Sequence, residues 1–188
     1  MKINNVEVYG INESVKASGY PMQVDIECDT PHVTQSDLSR AEKLANNPTG
    51  TGHNCFLKGI VVQADVTSSQ YWWLQFGRYH FADIISSQSK MHRITQMDID
   101  KQCNEYVFDS TIKAFKGWIE KYKNGQILFQ ELIANCPMGL ELKARITTNY
   151  LQLKTIHLQR RPHKLQEWQK FCDWIETLKY SEWITDGN

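Results

Sequence analysis

Apolar and polar residues alternate in two segments of the chain, which is the pattern of a strand with one buried face. Apolar side chains occupy every second position from Ile60 to Val66 within the segment 56–66, and they alternate with Glu, Lys, Arg and Thr over 140–147. Successive side chains of a strand point to opposite faces, so both segments are predicted to be half-buried strands. β-branched and aromatic residues predict a further strand at 6–9.

Other segments repeat apolar residues at steps of three and four, the period of an amphipathic helix. The clearest runs from Phe108 through Phe115 to Tyr122, and Asn124 with Gly125 then ends it. Residues 83–93 are polar and predict a loop or an irregular strand. Further helices are predicted at 37–45 after an Ser36 cap, at 70–80, at 126–134, from 148 or 149 to 159, and from Pro162 onward with Leu165, Trp168, Cys172 and Ile175 buried.

Strands and helices are intermixed without regular β-α-β repetition. This order favours an α+β fold in which a mixed or antiparallel sheet is flanked by helices. No internal repeat, low-complexity tract or Pro/Gly-rich linker divides the chain, so residues 1–188 are predicted to form a single domain. A composition with 41% hydrophobic and 22% charged residues is sufficient for a substantial core.

The charge balance limits the possible partners. Because 21 Lys and Arg residues balance 21 Asp and Glu residues, the chain has no basic excess to attract nucleic acid or a membrane surface, and we expect neither partner. No apolar run approaches the roughly 20 residues of a transmembrane helix, and residues 1–5 lack a signal-like apolar centre. The 5 cysteines are odd in number and scattered along the chain. We therefore expect them to be small buried hydrophobic residues and predict no disulfide framework. Together these features predict a cytoplasmic protein.

Familiar catalytic motifs are absent: the sequence has no Walker A loop, no dinucleotide fingerprint, no serine-hydrolase elbow and no zinc-hydrolase helix. Histidine spacing predicts no metal site. Gln75 and Arg78 lie three residues apart on a predicted helix, where an amide and a guanidinium can grip a planar polar ligand or simply form an exposed polar face. The basic run 160–164 at the start of the last helix is either an anion site or a solvated junction.

The order of these fragments, from about His53 to Trp168, resembles the flavin-dependent thymidylate synthases. That family has a Gly-His before a strand, then a helix with Gln and an Arg-His-Arg run, a Ser-x-Arg-Tyr ending, a Leu-Pro-x-x-Leu step and a late arginine. The corresponding fragments here are Gly52 with His53, Gln75 with Arg78, Ser89-Lys90-Met91-His92, Cys136-Pro137-Met138-Gly139-Leu140, Thr147-Thr148-Asn149, and Arg160 followed by Gln166.

The resemblance implies that family's fold and a homotetramer with sites between subunits. It also implies an enzyme that reduces FAD with NADPH, takes a one-carbon unit from methylenetetrahydrofolate and methylates dUMP, a pyrimidine nucleotide, at C5. The implied FAD-site residues are His53, Arg78, Tyr79, His80 and Asn149. The implied nucleotide-site residues are Gln75, Ser89 and Arg160, with Arg160 and Ser89 as the catalytic candidates and Arg160 polarising the uracil ring.

The chain departs from the family pattern at three places. The Arg-His-Arg run is Arg78-Tyr79-His80, and Met91 and Ile133 stand where arginines contact nucleotide phosphate. Phosphate recognition relies on such cations, so a substitute is required from Lys90, His92, Arg93 or Arg161. The departures leave an alternative open: a non-catalytic homologue that keeps the fold and oligomer, or one that binds a different flavin or nucleotide ligand. The apolar stripe of 108–122 suits either a subunit interface or the intramolecular core.

Overall fold

The computed structural model describes residues 1–27 and 32–185, and its strands form a four-stranded antiparallel sheet. The strands are β1 (Lys2–Tyr9), β2 (Val61–Ser69), β3 (Asp83–Ser87) and β4 (Glu141–Asn149), in the order β1-β2-β4-β3. β2 and β4 pair along their whole lengths, from Val61 opposite Asn149 to Ser69 opposite Glu141. With helices flanking this sheet, the predicted α+β class is confirmed.

Helices occupy much of the remaining described chain. They are α1 (Ile11–Ala17), α2 (Gln35–Ala45), α3 (Gln70–Phe76), α4 (Lys90–Arg93), α5 (Ile99–Gln102), α6 (Asp109–Lys123), α7 (Phe129–Ala134), α8 (Tyr150–Arg160), α9 (Gln166–Ile175) and α10 (Glu182–Thr185). Short 3-10 helices lie at Tyr20–Met22, Cys55–Gly59 and Ile94–Gln96. Across residues 1–27 and 32–185, no helix has the length and apolar character needed to cross a membrane.

The main core packs α3 and α9 through aromatic rings. The ring of Trp72 lies 5.0 Å from that of Phe76, 4.9 Å from that of Trp168 and 5.4 Å from that of Phe171, measured between centroids. All four side chains are fully buried in the same core as the inward face of β2. Since each aromatic side chain buries a large apolar area, this cluster fixes the position of α9 against α3.

A second core lies around α6. Phe115 and Ile119 are buried there against Leu132 and Leu140. The intramolecular use of the 108–122 stripe therefore accounts for its buried members, whereas Phe108 at its start remains 80% exposed. The subunit interface that this stripe also suits stays a prediction.

Several boundaries differ from the sequence predictions. Residues 83–87 form a strand because they pair with the edge of β4, although every one of them is exposed and no alternating burial marks the segment. Thr34, not Ser36, caps α2, since its hydroxyl accepts from Asp37 N at 3.3 Å. α3 ends at Phe76 rather than near residue 80, and the last predicted helix starts at Gln166 rather than Pro162.

The cysteine prediction holds only in part. Cys172 is buried, Cys103 and Cys136 are half-buried, and Cys55 is exposed, so the prediction is wrong for Cys55. Cys28 lies outside the described residues. Burial raises the pKa of the Cys103 and Cys172 thiols to about 11 and also raises that of Cys136. These three groups are therefore thiols near neutral pH and poor nucleophiles.

Candidate functional site

Three helices meet around the guanidinium of Arg160, the last residue of α8. Its Nε donates a hydrogen bond to Tyr79 Oη at 2.6 Å, and its Nη1 donates to Gln75 Oε1 at 3.3 Å. The buried indole Nε1 of Trp168, on α9, donates to the same Gln75 oxygen at 2.9 Å. Gln75 lies in the last turn of α3. These four side chains are called the Arg160 cluster below.

The guanidinium of Arg160 contacts aromatic rings rather than a carboxylate. Its guanidinium carbon lies 4.7 Å from the ring centroid of Trp168 and 5.4 Å from that of Tyr79, within the range of cation–π contacts. No carboxylate among the described residues pairs with it, whereas the adjacent Arg161 pairs with Asp173 at 2.5 Å and Glu176 at 3.3 Å. The positive charge of Arg160 is thus held in place but not neutralised, and it remains available to a ligand.

The free polar groups of the Arg160 cluster are hydrogen-bond donors. Gln75 Oε1 already accepts from Arg160 and Trp168, so the amide nitrogen of Gln75 is the part left for another partner. The remaining guanidinium N–H groups of Arg160 are donors as well, because arginine has no acceptor. Such a cluster suits a planar ligand that carries carbonyl or anionic oxygens.

A groove lies at the opposite end of α3. The amide nitrogen of the buried Gln70 donates to Pro137 O at 2.8 Å, and its Oε1 accepts from Lys90 Nζ. The adjoining groove has a volume of about 360 Å³, and its walls include Trp73 and Leu142. A largely apolar groove of this size with one cation at its edge falls within the range of small-molecule sites.

Only part of the predicted site is in direct contact. Arg160 contacts both Gln75 and Tyr79. Ser89 is not part of this contact, and its Oγ forms a hydrogen bond with His92 Nδ1 at 2.8 Å. Lys90, next to Ser89, contacts Gln70, which precedes Gln75 by five residues. At a rise of 1.5 Å per residue, the two contact points on α3 are about 7.5 Å apart along its axis.

The remaining candidates are not members of the Arg160 cluster. Arg78 and His80 are exposed in the segment after α3, and His53 is exposed next to Gly52, whose φ of 82° lies in the left-handed region. Asn149 caps α8, since its Oδ1 accepts from Gln152 N at 2.9 Å. The 11-residue length of α8 separates Asn149 from Arg160, by about 16 Å at the helical rise.

Two sequence interpretations need correction here. Gln75 and Arg78 do not share a helix face, because α3 ends at Phe76 and the cationic partner of Gln75 is Arg160. The basic run 160–164 does not act as one anion site, because Arg161 is neutralised by carboxylates and the helix begins later, at Gln166. Within the parts of the chain described, no three His, Cys, Asp or Glu residues are grouped to hold a metal ion.

Sequence reasoning missed two contributors. The sequence pattern places Trp168 only in an apolar stripe and indicates no role for Gln70. A tryptophan predicted to be buried is itself a signal, because its indole N–H needs an acceptor. Gln70 gives a similar signal, since it is a polar residue at the start of a helix that is crowded with aromatic side chains.

Solved structures with the same fold are flavin-dependent thymidylate synthases. The structure of ThyX from Helicobacter pylori complexed with FAD and dUMP matches with a TM-score of 0.75 and 13% identity, over 97% of this chain and 96% of that chain. A second ThyX structure from Helicobacter pylori, with FAD and dUMP, gives the same values. No protein-family model and no curated protein matches this chain. The likeness establishes the fold, and the predicted fold resemblance is confirmed.

Proposed function

We propose that this chain is a FAD-dependent enzyme that acts at C5 of a pyrimidine deoxynucleotide, dUMP or a close relative. A folate such as methylenetetrahydrofolate would supply the one-carbon unit, and NADPH the reducing equivalents. The observation that carries the proposal is the unneutralised guanidinium of Arg160, held against Gln75 on a fold that ThyX shares. In the ThyX structures this fold binds FAD and dUMP.

The Arg160 cluster would bind the pyrimidine ring. Donors from Gln75 and Arg160 complement a ring that carries carbonyl oxygens. When C5 of the ring reacts, negative charge develops over the ring and its oxygens, and a fixed cation beside it lowers the barrier. Because Tyr79 and Trp168 already hold the guanidinium in place, little reorganisation is needed as the charge develops.

The predicted FAD residues have suitable chemistry for that cofactor. The side chains of Arg78 and His80 are exposed and form no hydrogen bond or ion pair with other described residues, so they are available to the pyrophosphate, which arginine binds well. His53 is also exposed, and Asn149 keeps its amide nitrogen free. Tyr79 is an exception, since Arg160 and Gln159 already occupy its hydroxyl. Bound FAD would supply the redox chemistry that completes the methyl group.

Lys90 is our choice for the phosphate-binding cation in place of the arginines missing at Met91 and Ile133. Its ammonium contacts the neutral amide of Gln70, so its charge is not cancelled. Arg161, another candidate, is neutralised by Asp173 and Glu176. Ser89 adjoins Lys90 and would contribute its hydroxyl at the same end of α3.

The separation of these groups supports sites that are shared between subunits. One chain places Lys90 and Arg160 against different ends of α3, and Asn149 at the far end of α8 from Arg160. A homotetramer in which neighbouring subunits complete each site would bring such groups together. The single domain of residues 1–188 and the cytoplasmic location belong to the same proposal.

The visible absorption spectrum after mixing with FAD and removing the excess tests this function. Bound flavin bands, a tetramer by light scattering, and a dUMP-dependent rise in melting temperature are the expected results. Turnover of dUMP with the folate donor and NADPH then tests the chemistry. A colourless monomer that binds neither FAD nor dUMP would favour the non-catalytic homologue, which the changes at Tyr79, His80 and Met91 support.

A further inference from the structure

We propose that a cavity between the start of α9 and the segment after α5 binds a small organic cation through a primary ammonium group. The anion of this site is Glu167, in the first turn of α9. The cavity has a volume of about 280 Å³, and its walls include Glu167, Glu141 and residues 103–106. None of its described lining residues belongs to the groove beside Lys90 or to the Arg160 cluster. A ligand in this cavity is therefore independent of the proposed function.

Glu167 is buried without a cation beside it. The residue is 5% exposed, and its Oε1 accepts hydrogen bonds from Tyr71 Oη and, at 3.3 Å, from Ser69 Oγ. Burial and the bond to Glu167 raise the pKa of Tyr71 above its ordinary value of 10, so this donor stays a neutral phenol. Within residues 1–27 and 32–185, no Lys, Arg or His forms an ion pair with the carboxylate of Glu167.

The surroundings of Glu167 offset only part of the cost of burying its charge. A buried carboxylate is unfavourable unless hydrogen bonds and an opposite charge replace the lost water. The two hydroxyls and the N-terminal end of α9 stabilise it, but both hydrogen bonds go to Oε1. Oε2 forms no hydrogen bond with a described residue, and Glu167 borders the cavity. A cation in the cavity would supply the missing partner.

Hydrogen-bond acceptors dominate this part of the cavity because several donors are already used. Asn104 Nδ2 donates to Tyr71 Oη at 2.8 Å, and Tyr106 Oη donates to Gln166 Oε1 at 2.9 Å. Glu105 also lines the cavity and forms no ion pair within the described chain. Its carboxylate and the second lone pair of the Gln166 oxygen can accept further bonds. A primary ammonium suits such a lining, since it has three donors and no acceptor.

Other cations near the cavity do not replace such a ligand. The described residues contain no group of three His, Cys, Asp or Glu that could hold a metal ion. The N-terminal amine of Met1 pairs with Glu141 at 3.3 Å. Lys2 and Lys170 line the cavity, but both are exposed. Lys170 lies three residues after Glu167 on the same helix, a spacing that permits an ion pair, so it is the competitor that an experiment must exclude.

Calorimetric titration of the full chain with n-butylammonium chloride tests the site. n-Butanol has the same alkyl chain without the charge, and tetramethylammonium has the charge without an N–H donor. We expect n-butylammonium to bind about tenfold or more tightly than either, roughly the contribution of one charged hydrogen bond. The ionic strength is held constant, because salt screens the attraction of exposed carboxylates for any cation.

Two variants test the carboxylates. In Glu167→Gln the side-chain oxygen can still accept from Tyr71 and Ser69, but the charge is lost, so the affinity for n-butylammonium should fall about tenfold or more. Glu105→Gln at the exposed wall should lower it by about twofold to fivefold. Glu13→Gln is the matched control, since Glu13 is exposed on α1 and lies outside the cavity. It should leave the affinity unchanged.

The proposal is overturned if the wild type binds n-butylammonium no better than tetramethylammonium, or if Glu167→Gln keeps the wild-type affinity. Binding that appears only in Lys170→Met would show that Lys170 itself neutralises Glu167, and would also overturn it. Melting temperatures establish that each variant is folded. If Glu167→Gln does not fold, the comparison of Glu105→Gln with Glu13→Gln decides, and equal affinities in those two variants would overturn the proposal.

Discussion

The two ends of α3 use the same pairing in different surroundings. At the last turn, Gln75 Oε1 accepts from Arg160, and at the first turn Gln70 Oε1 accepts from Lys90. Neither cation has a carboxylate partner in the described residues. Arg160 lies on the faces of two aromatic rings, whereas Lys90 lies at the edge of the apolar groove.

The different surroundings of Arg160 and Lys90 show how the two ends of one helix can hold two kinds of cation. Neutral amide partners leave both charges for a ligand, unlike Arg161, which two carboxylates neutralise. A guanidinium fixed by rings and directional hydrogen bonds recognises the shape of a planar group. An ammonium on a flexible stem acts as a point charge, which suits a phosphate. Under the proposed function, the Arg160 end would bind the ring and the Lys90 end the phosphate.

The largest expected effect is on the free energy of unfolding, and it comes from the side chains that pack near each end of α3. Phe171 is fully buried, with its ring centroid 5.8 Å from that of Trp168, whereas Leu74 on the groove is 68% exposed. Phe171→Ala should lower the free energy of unfolding by about 3–5 kcal/mol because it leaves a cavity. Leu74→Ala should change it by less than about 0.5 kcal/mol. Urea denaturation measures both, and equal losses would contradict the contrast between the two ends.

Arg160→Ala should have the largest effect on turnover. Removing the fixed cation beside the ring should lower kcat by about a hundredfold or more, as with other groups that stabilise developing charge. FAD uptake, read from the visible spectrum, should fall much less. Arg161→Ala is the matched control, because its charge is already neutralised by Asp173 and Glu176. Turnover that survives in Arg160→Ala would remove this residue from the mechanism.

The sequence predicts the central strands of the sheet, but it does not predict β3, which lies beside the groove. The central strands β2 and β4 follow from alternating burial, because each has one face in the core. β3 could not be found in this way, since its residues are exposed and pairing with β4 alone makes them a strand. Its position matters, because Ile84 of β3 forms part of the groove at the Lys90 end.

The candidate site, like the sheet, is predicted only in part by the sequence. The family resemblance identifies Gln75 and Arg160 as candidates, and the structure places them in contact. The bond from Trp168 joins residues 93 positions apart, and it depends on how α9 packs against α3. No local pattern encodes that arrangement. An apolar stripe predicts that Trp168 is buried, but the acceptor of its N–H is determined only by tertiary packing.

Lys90→Met tests the groove end and should have a moderate effect. Loss of the unneutralised ammonium should weaken dUMP binding by about tenfold, roughly the contribution of one charged hydrogen bond. Binding of deoxyuridine, which lacks the phosphate, should not change. Lys113→Met on α6 is the control, an exposed lysine that lies outside the groove. An equal loss for dUMP and deoxyuridine would show that Lys90 does not bind the phosphate.

The smallest expected effect is on the pH dependence of stability near the Arg160 cluster. Burial, together with the charges of Arg160 and Lys164, lowers the pKa of His163 below its ordinary value of 6.5. Its Nδ1 also accepts from Leu165 N at 3.1 Å, a bond that only the neutral ring can make. The unfolded chain therefore binds a proton more readily than the folded one, so stability should fall as the pH drops below the ordinary value.

His163→Gln isolates this contribution from those of the other histidines. Melting temperatures measured from neutral pH down to about one unit below the ordinary pKa should decline more steeply for the wild type than for the variant. The ring of His163 lies 6.5 Å from that of Trp168, measured between centroids, so this contribution arises beside the Arg160 cluster. Parallel pH profiles for the two proteins would show that the protonation of His163 is not coupled to folding.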